Sequence, residues 1–544
     1  MRVGGWIPLV ALVLAGAPAH ASELRLCAPA EKMVRSILAI DVGAHRRHAA
    51  SVIAYASGTR RPRAVDLDVR VDASGSTVCY VPSARLDALD EEHRRVLLEQ
   101  ASGWEYVPFA RDGMAIPVMV QEHVWPVELP TRHRSLPEVP LKAIKLTLTR
   151  GMCLLDCPDY TVEVRGDGRV TYIGNRGVDV EGRHAWRIEP SAVATLVRSA
   201  RDKDLWSLNS DYSAGVPDSP GTRISMDMGG EVHTIDGSSG GLAGMPANVT
   251  TFEDEIDRLS GAREWVRLSA GTLGRLQANG LRLDSAEAGK LLHRVAGHDD
   301  SVDDTSALRL IEGGAPIGGD GGSRHCPCGD AGGVLSVALR NRRRALVPAL
   351  VARGALQSRG GLDQGKLDAA FRDAIVGGDA SLVETIWNAG GEAHRPALTF
   401  VDDTGDTEGA TGPLPVSLLL IRRYFQPPAG WDGFAVARWL VRHGVGLKGR
   451  IGYGDTLLHV AARAGDAAFV RYLLAQGFDV NAPGEEFIPP IYATHDEDVA
   501  LMLLDAGADA SLYVRSGYSL RVFAQNNRWW RVLAWLDAHP GYPG

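Results

Sequence analysis

Residues 64–71 alternate apolar and polar side chains, with Val65, Leu67, Val69 and Val71 on the inward side. A period of two predicts a strand with one buried face. The Asp72-Ala73-Ser74-Gly75 turn then leads into Ser76 to Val81, which makes a hairpin. From Leu86 to Ala101 the period becomes helical, and Leu86, Leu89, Val96, Leu97 and Ala101 form a stripe. An Arg111-Asp112-Gly113 turn and a strand over Ile116 to Val124 complete an α+β unit spanning residues 22–125. Residues 126–140 hold four prolines and few bulky apolar side chains, so they read as a linker.

A second α+β unit is predicted over residues 141–267. Leu141 to Thr149 alternates, and Tyr160 to Arg165 pairs through Gly166-Asp167-Gly168 with Val170 to Ile173. Pro190 opens a helix carrying Val193, Leu196 and Val197. Thr222 to Met228 and Glu231 to Ile235 are paired strands, Phe252 to Leu259 is a last helix, and Trp265 packs back onto the sheet.

Residues 284–544 repeat one pattern, a Leu or Ile, three residues, then Gly. It occurs at Leu310/Gly314, Leu350/Gly354, Ile386/Gly390, Leu440/Gly444, Leu473/Gly477 and Leu503/Gly507, with spacings of 40, 36, 54, 33 and 30. Insertions near 318–333 and 402–433 account for the irregular intervals. Such a period predicts stacked helix pairs, each ended by a glycine in a left-handed cap. The clearest copy runs from Thr456-Leu457-Leu458-His459-Val460-Ala461 through Gly465 to Gly477 and Asn481. It resembles the ankyrin consensus T-P-L-H-x-A, with Leu457 at the proline position. The resemblance implies that Thr456, His459, Gly465, Gly477 and Gly507 are structural, with His459 hydrogen-bonding between neighbouring turns. About six to seven divergent repeats are expected. Trp529, Trp530 and Trp535 in the last copy read as sealing the end of the stack.

Two further resemblances concern the front of the chain. Residues 103–124, with Trp104, Pro108, Asp112-Gly113 and Pro117-Val118, look like the C-terminal domain of the energy-transducer protein TonB. A fold of that kind implies a sheet edge open to β-augmentation. The strand, the C-x3-C-P of Cys153 to Pro158, the hairpin, the helix and Trp265 are similar to an uncharacterised domain of bacterial exported proteins. The expected fold class is thus two small α+β domains followed by an all-α ankyrin-repeat solenoid.

Charge changes little in this picture. Lys and Arg total 58 against 66 Asp and Glu, a net −8, which gives no general attraction to phosphate backbones. Nucleic acid is therefore not expected as a partner. The first residues say more. Met1-Arg2, an apolar stretch from Val3 to Gly16, and Ala19-His20-Ala21 form a signal peptide over residues 1–21, cleaved before Ser22. Export follows, with the periplasm expected and full secretion the alternative, and no membrane span remains after cleavage. In that compartment the six cysteines read as disulfide candidates in sequential pairs, Cys27 with Cys79, Cys153 with Cys157, and Cys326 with Cys328.

Candidate chemistry is sparse. His325-Cys326-Pro327-Cys328 has soft ligands but lacks a fourth ligand and the usual spacing for zinc, so no metal is assigned. Gly237-Ser238-Ser239-Gly240-Gly241 satisfies G-x-S-x-G formally, but a flexible loop is expected there instead of a nucleophile elbow. Arg340 to Arg344, apart from Asn341, reads as a solvated helix end. No catalytic residue, cofactor or cofactor-binding residue is assigned. The expected function is binding of a protein partner through the concave face of the stack. One alternative is an enzyme or redox-active protein with a site around Cys153, Cys157, Asp211 and Tyr212. Another is a toxin-neutralising envelope protein.

Overall fold

The computed structural model describes residues 24–37, 45–48, 52–111, 114–130, 132–151, 153, 157–214, 221–298, 303–318, 333–358, 361–390, 430–448, 455–484, 487–513 and 519–542. The segment 1–21, Cys326 and Cys328, and most of both expected insertions lie outside the described residues. Described residues form a multi-domain chain with a sheet-rich first part and a helical second part.

The first sheet contains β1 (Arg35–Ile37), β2 (Val52–Ala56), β3 (Val65–Val71), β4 (Thr77–Val81) and β5 (Val118–Leu129). Its order is β1-β5-β3-β4, and β2 pairs farther along β5. The inward residues of β3 are fully buried and pack with Leu97, Leu98 and Ala101 of the helix Glu91–Ser102. Asp90 caps that helix by accepting the amide of His93 at 3.0 Å. β5 does not stop near Val124 but runs to Leu129, because Trp125 to Leu129 pair with β2. Pro126 is tolerated there because this half of β5 pairs on one side only. The proline-rich stretch is anchored at its other end too, since Leu136 is buried in the second unit.

That unit is an antiparallel sheet of β6 (Ile144–Arg150), β7 (Asp159–Arg165), β8 (Arg169–Arg176), β9 (Gly182–Arg187), β10 (Thr222–Met228) and β11 (Glu231–Asp236). The strand order is β9-β8-β7-β6-β10-β11. The helices Pro190–Asp202 and Ala247–Ser260 bury Val193, Leu196, Phe252 and Ile256 in the same core as Leu148, Val162 and Val164. Trp265 closes the unit by stacking on Trp186 with ring centroids 4.8 Å apart.

The second unit and the repeats share one apolar cluster, continuous from Leu136 to Leu536. The helix Ala270–Ala278 bridges them. Beyond it lie the helix pairs Ala286–Ala296 with Thr305–Glu312, Val334–Arg340 with Leu346–Ala352, and Gln364–Gly377 with Ala380–Asn388. The helix Gly433–Arg442 follows, then Leu457–Arg463 with Ala467–Ala475, Pro490–Ala493 with Glu497–Asp505, and Leu520–Asn526 with Trp530–Ala538. All six glycines of the repeated pattern have positive φ, between +74° and +108°, a region closed to most side chains. Among the described residues, no helix is long and apolar enough to cross a membrane.

Candidate functional site

The repeats are joined by buried polar contacts. Thr456 precedes the helix Leu457–Arg463, and its backbone amide donates to His459 Nδ1 at 3.1 Å. With Nδ1 accepting, the ring is assigned the tautomer whose Nε2–H donates to the carbonyl of Ile488 in the next repeat, 3.0 Å away. His459 is 1% exposed, so it links two repeats and cannot meet a substrate. The next turn comes so close that a Cβ on Gly484 would lie 2.6 Å from Nε2. Gly465 and Gly477 turn the chain at φ +66° and +74° on either side of the helix Ala467–Ala475, and Gly507 closes the following repeat at +90°.

The arginine run is a solvated helix end only in part, since Arg344 is exposed and Arg340 half-buried. Arg342 and Arg343 are buried. Arg343 donates through Nε to Asp304 Oδ1 at 2.8 Å and through Nη1 to the carbonyl of Val295 at 2.7 Å. Arg340 reaches Asp373 at 2.6 Å and Arg344 reaches Asp379 at 2.5 Å. The run therefore staples its own repeat to the one before and the one after. Burial alone would make such charges costly, and the paired carboxylates offset that.

The sequence model of a family described as "Ankyrin repeats (3 copies)" matches residues 429–513. The C-terminal region carries ankyrin repeats. Two of the solved structures similar to this chain illustrate the likeness. One is the ankyrin repeat domain of Bcl-3, described as a unique member of the IkappaB protein family, at 18% identity and a TM-score of 0.25, covering 43% of this chain and 91% of that one. The other is the human ASB11 ankyrin repeat domain, at 19% identity and a TM-score of 0.27, covering 42% and 88%. Residues 144–260 match a domain of unknown function, DUF6438. No curated protein matches the chain.

Most large apolar side chains of the ankyrin region are buried, and two exceptions matter. Leu362 lies in the short hairpin of Gln357–Ser358 and Gly361–Leu362, just ahead of a first helix, and is 55% exposed. Phe487 precedes Pro490–Ala493 in the same way and is 74% exposed, with φ +65°. A phenylalanine in the left-handed region costs about 1–2 kcal/mol, so both its backbone and its exposed ring are unfavourable in the free chain. Sequence reading missed both. The available signal was an aromatic residue within a polar connection before Pro489-Pro490, where no core required one.

The second unit offers less. Cys153 and Cys157 form a disulfide with Cα atoms 5.5 Å apart, and Cys27 and Cys79 form another with Cα atoms 5.0 Å apart. Neither pair leaves a thiolate. Tyr212 is buried, its phenol is pushed up to about 12 by desolvation, and it accepts the amide of Asn209. Asp211 is exposed, and the hydroxyl and amide of Ser213 hold its carboxyl below the usual range. Among the described residues, no hydrogen bond or ion pair links either residue to the disulfide loop. Ser239 has φ +50° and precedes a single helical turn, Gly240–Ala243, in place of the expected flexible loop. No histidine or carboxylate bonds to it among the described residues.

Sequence reading also missed a buried charge cluster. Arg150, at the end of β6, reaches Asp257 at 2.9 Å, Glu253 at 3.3 Å and Asp254 at 3.4 Å, and Tyr160 donates to Asp257 at 2.7 Å. Burial pushes the carboxyls of Glu253 and Asp257 up. Arg150 thus clamps the helix Ala247–Ser260 to the sheet. Among the described residues, no group of His, Cys, Asp or Glu could hold a metal ion.

Proposed function

We propose that this is an exported bacterial scaffold that binds a protein partner through the hairpin tips and first helices of its ankyrin stack. The observation that carries the reading is Phe487, held exposed at φ +65° in the turn before one first helix, with Leu362 exposed on the short hairpin before another. Large rigid apolar side chains presented on a stiff frame lose little entropy on binding, which favours affinity. The bridged cysteines fit an oxidising compartment, in line with the leader-like residues 1–21. A TonB-like first unit would offer a sheet edge for β-augmentation, but its β4 edge is already occupied. Tyr80 donates to the carbonyl of Arg25 and accepts the amide of Cys27. Recognition is therefore assigned to the stack and not to β-augmentation at that edge.

The test is affinity capture from the envelope fraction with mass spectrometry, comparing the wild-type chain with Leu362→Ser/Phe487→Ser. The double variant is expected to lose the principal captured protein at least tenfold while keeping its circular dichroism. Undiminished capture by a folded double variant would overturn the reading.

A further inference from the structure

We propose that the outer face of the first sheet and the last ankyrin repeat form a releasable ionic latch, which closes the chain on itself and loosens as pH rises. The alternation of β3 that buries Val65, Leu67, Val69 and Val71 turns Asp66, Asp68 and Arg70 to the opposite face. In a free sheet that face would be wet. Asp68 is nevertheless 3% exposed. Its cover comes from more than four hundred residues away. Arg528 Nε lies 2.5 Å from Asp68 Oδ2, and its Nη2 lies 3.9 Å from Asp66. Ser36 of β1 donates to the carbonyl of Arg528 at 2.8 Å. Arg35, its neighbour, reaches Asp496 at 2.5 Å and Asp498 at 3.5 Å. The apolar share is small. Trp530 rests on a patch of Cys27, Cys79, Val81 and Met119, with Lys32 5.7 Å from its ring centroid.

The groups facing Asp68 come from three directions. Asp66 and Arg70 flank it on β3, Gln121 is its cross-strand neighbour on β5, and Arg528 covers it from the repeat. Asp66 itself is held by His123 at 2.5 Å and Arg85 at 3.0 Å. On the repeat side, Arg531 binds Glu497 and Asp498 at 2.9 and 2.7 Å, and burial pushes Glu497 up. That pair lies within the repeats and is retained whether the latch is open or closed. Asp68 differs. It is buried beneath Arg528 and beside Gln121, and desolvation outweighs the attraction of Arg528 and the hydrogen bond of Gln121, so its carboxyl is pushed up to about 7. Released into water it would titrate near its ordinary value of about 4. Closing therefore takes up a proton between those two values. The latch is firmest in acid, weakens as pH climbs to about 7, and stays weaker above. Between pH 6 and pH 8 the closed-to-open ratio is expected to fall about tenfold.

Single-molecule FRET on the full chain reads that ratio directly. Dyes are placed at Glu92→Cys and Asp537→Cys, both exposed, with Cys326 and Cys328 replaced by serine. The parent chain should show the tenfold fall between pH 6 and pH 8. Asp68→Asn should stay closed with less than a twofold change, and Arg528→Ala should shift toward open throughout. A closed-to-open ratio that does not change with pH in the parent, or an unchanged slope in Asp68→Asn, overturns the latch. Neither result depends on whether the stack binds a partner.

Discussion

The ankyrin stack meets the rest of the molecule at two seams built on opposite principles. At its first end the second unit continues into the repeats through Val266, Leu268, Leu273, Ala288, Leu291 and Leu292 without a break in the apolar core. Asp179 reinforces that seam by accepting the amide of Leu268 at 2.7 Å and pairing with His298 at 2.5 Å. At the last end the contact is mostly charge, Arg528 on Asp68 and Arg35 on Asp496. Apolar burial is non-directional and insensitive to pH, so the first seam is a weld. Ion pairs balance attraction against desolvation, so small changes in protonation alter the second. One seam fixes the stack and the other conditions it.

The sharpest way to break this contrast is at the weld. Trp265→Ala removes a fully buried ring stacked on Trp186, and the expected loss is about 3–5 kcal/mol. Chemical denaturation should show the second unit and the adjoining repeats losing stability together. A midpoint change confined to the sheet would deny the weld. The disulfides come next. Cys27–Cys79 closes a separation of 52 residues and lies under Trp530, whereas Cys153–Cys157 closes only 4. Replacing each pair by serine should cost about 4 and about 2 kcal/mol respectively, as loop-closure entropy requires. Equal losses by thermal unfolding would mean that native contacts, and not chain entropy, set the difference. The smallest expected effect is a gain. Phe487→Gly relieves a left-handed phenylalanine and should stabilise the stack by about 1 kcal/mol while weakening partner capture. Capture at full strength would place the binding surface elsewhere.

The elements were largely legible in the sequence because their signals are local. The period-two runs in β3 and β7, the Gly166-Asp167-Gly168 turn and the six repeat glycines each depend on residues within one element. What escaped was the covering of polar groups by distant ones. Arg343 reads as a surface residue until Asp304 and the carbonyl of Val295 are brought to it. Asp68 lies on the polar side of its strand, as alternation demands, yet the last repeat covers that side. Periodicity says which side chains avoid the core and is silent on what else meets them. Arg150 was missed for the same reason, since its partners lie more than a hundred residues ahead on another element. Leu362 and Phe487 were missed because the short connections before first helices have no period to violate.

The partners Arg35 and Asp496 are 461 positions apart, and Ser36 and Arg528 are 492 apart. A chain emerging from its N-terminus completes the first sheet long before the covering residues exist, since loops of that span close last. Throughout that interval the outer surface of β3 must endure bare in water without sticking to anything. Asp66, Asp68 and Arg70 meet that demand where leucines would invite aggregation, so the residues that later lock the two ends together first serve as a solubilising coat for a half-made protein.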